Sequence, residues 1–199
     1  MASEEILWVT HAEELGCFYG QLAKLPDAYL DAMTTELKNA YSSHPNPPLL
    51  YADVKSHLGH LGVHQWDEDK TFYRVRVINE LVNEVEIRFV DFGNTIRILR
   101  SAILAPLESL TRFRSAPFGI RCRLEGNLQA LNAKWPDIIT QKPKLQVKIG
   151  KCDDGVYSVT LSNTTINADI IEHVTPNFTT TSASTGMIFH NYPIDFYVK

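Results

Sequence analysis

Apolar and polar residues alternate with a period of two in several short runs of this chain. Between residues 72 and 77, Tyr73, Val75 and Val77 share one face and Phe72, Arg74 and Arg76 the other; between 85 and 89, Val85, Ile87 and Phe89 stand opposite Glu86 and Arg88. Such alternation predicts two half-buried strands, neighbours in an antiparallel sheet. Ile78 to Glu84 is short and polar enough for a hairpin connection, and Gly93-Asn94 turns the chain into a further run at Ile96, Ile98 and Leu99. The product is a small, strongly bent sheet. A second group alternates in the same way: Phe118, Ile120, Cys122 and Leu124; Leu145, Val147 and Ile149; Tyr157, Val159 and Leu161, with Asp154-Gly155 supplying a hairpin turn. Ile6 to Val9 and Phe18 to Leu22 predict two more strands.

Helical spacing replaces alternation from about Asp27 to Tyr41, where Leu30, Met33, Leu37 and Tyr41 recur on one face. Pro26 suits the helix entry, and His44-Pro-Asn-Pro-Pro ends it. A second helix is predicted over Leu128 to Thr140, burying Leu131, Trp135, Ile138 and Ile139. Ile103 to Leu110, interrupted by Pro106, is a connecting helix or an irregular segment. The later strands lack a complete sheet unless the N-terminal pair joins them, so one unit is expected to be split around the other. Residues 175–185 are rich in Thr and Ser, and the apolar end from Met187 to Lys199 either docks on the fold or belongs to a following region.

With 199 residues, 44% of them hydrophobic and 21% charged, the chain can bury a proper core. Its net charge of −4 and pI ≈ 6.0 lack the basic excess of a general nucleic-acid binder. Cys17, Cys122 and Cys152 are odd in number and form no Cys-x-x-Cys pair, as expected for free thiols in a reducing compartment. No segment has transmembrane length, and Met-Ala-Ser-Glu-Glu is no signal sequence, so a cytosolic or nuclear protein without membrane contact is expected. His57, His60 and His64 cluster, but Gly59 and Gly62 argue against a regular helix and no cysteine lies near; neither a metal nor a cofactor is expected. Asp91-Phe92-Gly93 matches the kinase magnesium motif without the Gly-rich or catalytic loops that kinase chemistry needs. No Ser/His/Asp set or phosphate loop is recognisable, and no enzyme activity is expected.

Aromatic residues gather at one edge of the first sheet. Tyr73 opens its valine-bearing face and Phe89 closes its own, so antiparallel pairing brings the two rings together. Phe92 and Asn94 leave that edge on the turn, and Trp66 enters it from the preceding loop. Rings at strand ends are more often packing than cage, but this ordered set beside Gly93-Asn94 suits a flat cation.

The order of an aromatic, an acidic loop, Phe-Tyr-Arg-x-Arg-Val and then Phe-Val-Asp-Phe-Gly-Asn resembles the Tudor barrel, particularly the extended Tudor domains of germline small-RNA pathway proteins. The likeness runs from about Glu5 to His173 and is supported by Pro117-Phe-Gly-Ile-Arg-Cys-Arg-Leu-Glu-Gly. It implies a mainly β fold with helices: an SH3-like Tudor barrel at 51–99, a connecting segment at 100–113, and a staphylococcal-nuclease-like OB-fold split between 5–50 and 114–173, followed by a tail at 174–199. It implies a methylarginine cage of Trp66, Tyr73, Phe89, Phe92 and Asn94, with Phe92 where the family commonly has Tyr. Asp67, Glu68 and Asp69 would form an acidic rim that attracts an arginine-rich peptide. The implied role is that of a reader of symmetric dimethylarginine, with the N-terminal tails of PIWI-clade Argonaute proteins as partners. The setting would be small-RNA silencing in the cytoplasm, including perinuclear germ granules. Two alternatives stay open: a scaffold for unmethylated arginine or a folded partner, and an OB-fold that binds RNA through Arg112, Arg114, Arg121 and Arg123.

Overall fold

Leu7, Val9, Phe18, Cys122, Leu124, Leu145, Val147 and Val159 meet in one apolar core although they come from opposite ends of the chain. The computed structural model describes residues 4–25, 27–51, 56–126, 128, 135, 141 and 144–162. That core fills a closed barrel built from β1 (Glu4–Ala12), β2 (Cys17–Leu22), β7 (Gly119–Leu124), β8 (Lys144–Asp153) and β9 (Val156–Leu161), in the order β1-β2-β7-β9-β8. β7 and β9 run parallel and the other pairs antiparallel, giving a five-stranded OB-type barrel divided in sequence. Trp135 meets Phe18 edge-on at 6.2 Å and is 6% exposed. Leu131, Ile138 and Ile139 of the predicted second helix lie outside the described residues, as does the tail at 174–199. Asp154 and Gly155 make the predicted turn with φ of +48° and +74°.

Between β2 and β7 the chain forms α1 (Asp27–Ser42) and then β3 (Leu61–Gln65), β4 (Phe72–Glu80), β5 (Glu84–Phe89) and β6 (Thr95–Leu99), paired antiparallel in that order. Their inward residues Val75, Val77, Val85, Ile87 and Phe89 bury with Ile103. The helix buries Met33, Leu37 and Tyr41 against Phe72 and Phe113; the Tyr41 ring stacks on Phe72 at 5.5 Å, and its hydroxyl donates to the Ala105 carbonyl at 2.6 Å. The fold class is the one expected from the sequence.

Three local features differ from expectation. The apolar pattern does not mark β3 as a strand, because Gly62 and His64 break the alternation. Gly62 is required by a close approach, since a Cβ there would lie 2.5 Å from Ile103 Cγ2. On the far side of β3, Val63 and Leu104 exchange backbone bonds at 2.9 and 2.8 Å. That pairing makes the segment from Ile103 the irregular alternative rather than a helix, preceded by a 3₁₀ turn at Arg100–Ala102. Finally, β4 continues to Glu80 through a bulge between Val77 and Asn79, which shortens the hairpin expected over Ile78 to Glu84.

Candidate functional site

Two tight turns deliver the aromatic residues to one edge. In the β3–β4 hairpin, the Trp66 N–H donates to the Thr71 carbonyl at 2.8 Å and the Lys70 N–H returns to the Trp66 carbonyl at 2.9 Å, with Lys70 at φ +57°. In the β5–β6 turn, the Phe92 and Gly93 N–H groups donate to the Phe89 carbonyl at 3.2 and 2.7 Å, and the Phe89 N–H donates to the Asn94 carbonyl at 2.9 Å. Val75 pairs with Phe89, which leaves Tyr73 at the same end of the sheet.

The four rings come together there. Phe89, 4% exposed, lies at the base and meets Trp66 at 5.6 Å and Tyr73 at 5.7 Å, with interplanar angles of 86° and 79°. Phe92 meets Tyr73 at 5.6 Å and 84°. Trp66, Tyr73, Phe92 and Asn94 are half-buried, so each keeps contact with solvent. Edge-to-face packing of this kind is a preferred aromatic geometry, and it fixes the four rings relative to one another.

Asp69 accepts from the Tyr73 hydroxyl at 2.7 Å and from the Thr71 N–H at 2.8 Å. Burial, with this carboxylate contact second, pushes the Tyr73 hydroxyl up to about 12, and the Tyr73 bond holds Asp69 below its usual range. Asp67 stands 3.4 Å from Lys70 Nζ, and Glu68 is exposed. The acidic loop is thus anchored to one ring of the set. The three histidines do not share a focus: His64 Nδ1 contacts the Ala102 carbonyl at 3.1 Å, whereas His57 and His60 bring their Nδ1 atoms within 2.8 Å of each other.

Sequence reasoning missed the residues that hold the Asp91-Phe92-Gly93 turn. Thr10 Oγ1 donates to the Phe92 carbonyl at 2.6 Å, and Gln21 Nε2 to the Asp91 carbonyl at 2.7 Å. Gly93, at φ +93°, lies against the Tyr19 ring so closely that a Cβ would fall 2.0 Å from Tyr19 Cγ. Thr10, Tyr19 and Gln21 all belong to β1 and β2 of the barrel, so the barrel positions a turn of the neighbouring sheet. Local sequence carries no signal for contacts across 70 to 82 residues. At the same seam Glu13 bridges Arg88 at 3.4 Å and Arg121 at 2.6 Å; on helix α1, Glu36 lies 3.7 Å from Arg112. Two of the four arginines considered for RNA are therefore engaged by carboxylates.

Among the described residues, no helix is long and apolar enough to cross a membrane. No curated protein matches the sequence. Several solved structures share the fold. The extended Tudor domain TD3 of mouse TDRD1, in complex with a MILI peptide containing dimethylarginine 45, is 22% identical with a TM-score of 0.68, covering 86% of this chain and 91% of that one. The extended Tudor domain of human TDRD1, in complex with a symmetrically dimethylated peptide, is 18% identical with a TM-score of 0.69, covering 86% and 89%. The extended Tudor domain of Drosophila melanogaster Tudor-SN (p100) is 18% identical with a TM-score of 0.67, covering 83% and 78%. At these identities the likeness is one of fold. Residues 1–126, more than half of the sequence, match the Tudor domain, and the chain belongs to that family.

Proposed function

We propose that this chain is a reader of arginine-methylated peptides, with Trp66, Tyr73, Phe89 and Phe92 as the walls of the cage and Asn94 as its polar member. The observation that carries this reading is the set of near-perpendicular ring contacts linking Trp66, Phe89, Tyr73 and Phe92 at 5.6 to 5.7 Å. A dimethylated guanidinium keeps its charge but exchanges donors for apolar surface, so ring faces attract it through cation–π and dispersion forces together. The Asn94 amide carbonyl would orient a remaining N–H. Each ring supplies ~0.5 to 2 kcal/mol, and association entropy removes much of that sum, so a single mark binds on the order of micromolar.

Symmetric dimethylarginine is the proposed mark: the human TDRD1 complex with a symmetrically dimethylated peptide supports that choice, and the mouse TDRD1 complex with a dimethylarginine peptide supports a methylated ligand. The proposed partners are PIWI-clade Argonaute tails, bound by a non-catalytic scaffold of small-RNA silencing in the cytoplasm. Calorimetry with peptides that differ only in arginine methylation tests the cage. Phe92→Ala and Trp66→Ala are expected to abolish the preference for the methylated peptide. A preference unchanged in folded variants would defeat the assignment to these rings, and no preference in the unmutated chain would favour unmethylated recognition.

A further inference from the structure

The acids of the β3–β4 loop are not equivalent. Asp69 has both oxygens engaged, Oδ2 accepting from the Tyr73 hydroxyl at 2.7 Å and Oδ1 from the Thr71 N–H at 2.8 Å. Asp67 instead lies 3.4 Å from Lys70 Nζ, with its side chain 95% exposed, and touches no ring of the set. The loop that carries Asp69 is itself pinned: besides the backbone bonds between Trp66 and residues 70 and 71, Gln65 Nε2 donates to the Lys70 carbonyl at 3.0 Å, and Lys70 turns the chain at φ +57°. Asp69 is thus joined through the backbone to the Trp66 turn and through its side chain to Tyr73 at the start of β4. Those two rings meet Phe89 from different sides, at 5.6 and 5.7 Å, so the Asp69–Tyr73 bond fixes one wall against the loop that bears another.

Two chemical consequences follow from that bond. A phenol that donates to a carboxylate is polarised by it, which makes the ring face more attractive to a cation. An unmodified guanidinium, by contrast, binds best to a carboxylate that offers two free oxygens to a pair of parallel N–H groups. With one oxygen on the hydroxyl and the other on a backbone N–H, Asp69 does not present that fork.

Resting on the cage reading, we propose that Asp69 is a positioning residue that sets methylation specificity through the Tyr73 hydroxyl: it holds the Tyr73 ring as a wall for a dimethylated guanidinium and, being engaged, is withheld from an unmodified one. Its role differs from that of a steering charge, which acts at a distance on any cationic peptide and does not depend on Tyr73. The phenol of Tyr73 is then part of the selectivity, and Phe at that position would free the carboxylate to capture unmethylated arginine.

The test uses the full chain and two peptides identical except for one arginine, symmetrically dimethylated or unmodified, titrated by fluorescence anisotropy. Asp69→Asn is expected to weaken the methylated peptide about threefold, whereas Asp67→Asn, which removes the same charge from the same loop, should change it by less than about half as much. Tyr73→Phe should strengthen the unmodified peptide about threefold, and adding Asp69→Asn should cancel that gain. In NMR spectra of protein labelled at the tyrosine Cζ carbon, the Tyr73 resonance should move in Asp69→Asn and stay in place in Asp67→Asn. Equal losses in the two Asn variants, strictly additive effects of Asp69→Asn and Tyr73→Phe, or an unmoved Tyr73 resonance would each overturn the role given to Asp69. Absence of any preference for the methylated peptide in the unmutated chain would instead overturn the cage, so the two failures are separable.

Discussion

The guanidinium of Arg74 grips the carboxylate of Asp91 with two bonds, Nε to Oδ2 at 3.0 Å and Nη2 to Oδ1 at 2.5 Å, where the two side chains are 1% and 5% exposed. Arg74 Nη1 also donates to the carbonyls of Phe113 and Ser115 at 2.9 and 2.7 Å, and Asp91 accepts from the Phe118 N–H at 3.0 Å. A sheet residue thereby ties together the turn before Phe92 and the segment that leads into β7.

Breaking that pair on one side strands a buried charge. Asp91→Ala is expected to lower unfolding stability by about 3–5 kcal/mol in urea titrations. Replacing both partners together by Met and Leu should cost less than the single change, because no unpaired ion is left behind. A loss under about 1 kcal/mol for Asp91→Ala would show that water reaches the guanidinium.

Thr10→Val removes the donor to the Phe92 carbonyl while nearly preserving shape. The expected stability loss is about 1 kcal/mol, typical of one net hydrogen bond. Affinity for a methylarginine peptide should fall as well, since Phe92 loses a restraint. Unaltered calorimetric affinity would mean that the turn holds its place without Thr10.

Gly93→Ala drives a methyl group into the Tyr19 ring and also strains φ of +93°. Overpacking alone costs about 1–3 kcal/mol. Gly155→Ala is the control, because Gly155 has φ of +74° but nothing within 4 Å of an added Cβ. Thermal melts should show the larger drop for Gly93→Ala; equal drops would assign the whole effect to backbone strain.

Glu80 accepts from Ser56 Oγ at 2.6 Å, from the His57 N–H at 2.8 Å and from the Tyr51 hydroxyl at 2.7 Å. These bonds, led by that of Ser56, lower its carboxyl from an ordinary 4.5 to about 2. A depressed folded-state value favours the fold above pH ~4.5, and that contribution is lost as pH falls through the window from 4.5 to about 2. Glu80→Gln should therefore flatten the acid limb of a stability-versus-pH curve measured by denaturant titration. An identical acid limb in the variant would remove Glu80 from the account.

Much of the fold is legible in the sequence because period-two alternation is strong in β4, β5, β7 and β9, and because Met33, Leu37 and Tyr41 keep helical spacing. The four rings are legible for the same reason, as Tyr73 and Phe89 sit at ends of strands whose register alternation fixes. β3 is hidden because its place in the sheet depends on Gly62 fitting under Ile103, a contact that no local pattern encodes. Thr10, Tyr19 and Gln21 are hidden too, since each looks like an ordinary strand residue until the second half of the chain arrives.

The adjacency of β2 and β7 also sets a timetable. Cys17 pairs with Arg123 and Gln21 with Gly119, so closing that ladder encircles about 100 residues of intervening chain, an entropic penalty that grows only slowly with length but precedes every ladder bond. During synthesis the first two strands emerge long before their neighbour, with apolar side chains such as Leu7 and Phe18 still uncovered. The inserted sheet, whose hairpins are local, can assemble in that interval and draw the distant segments together through the Arg74–Asp91 junction, so late zippering of the barrel would follow a nucleus made elsewhere.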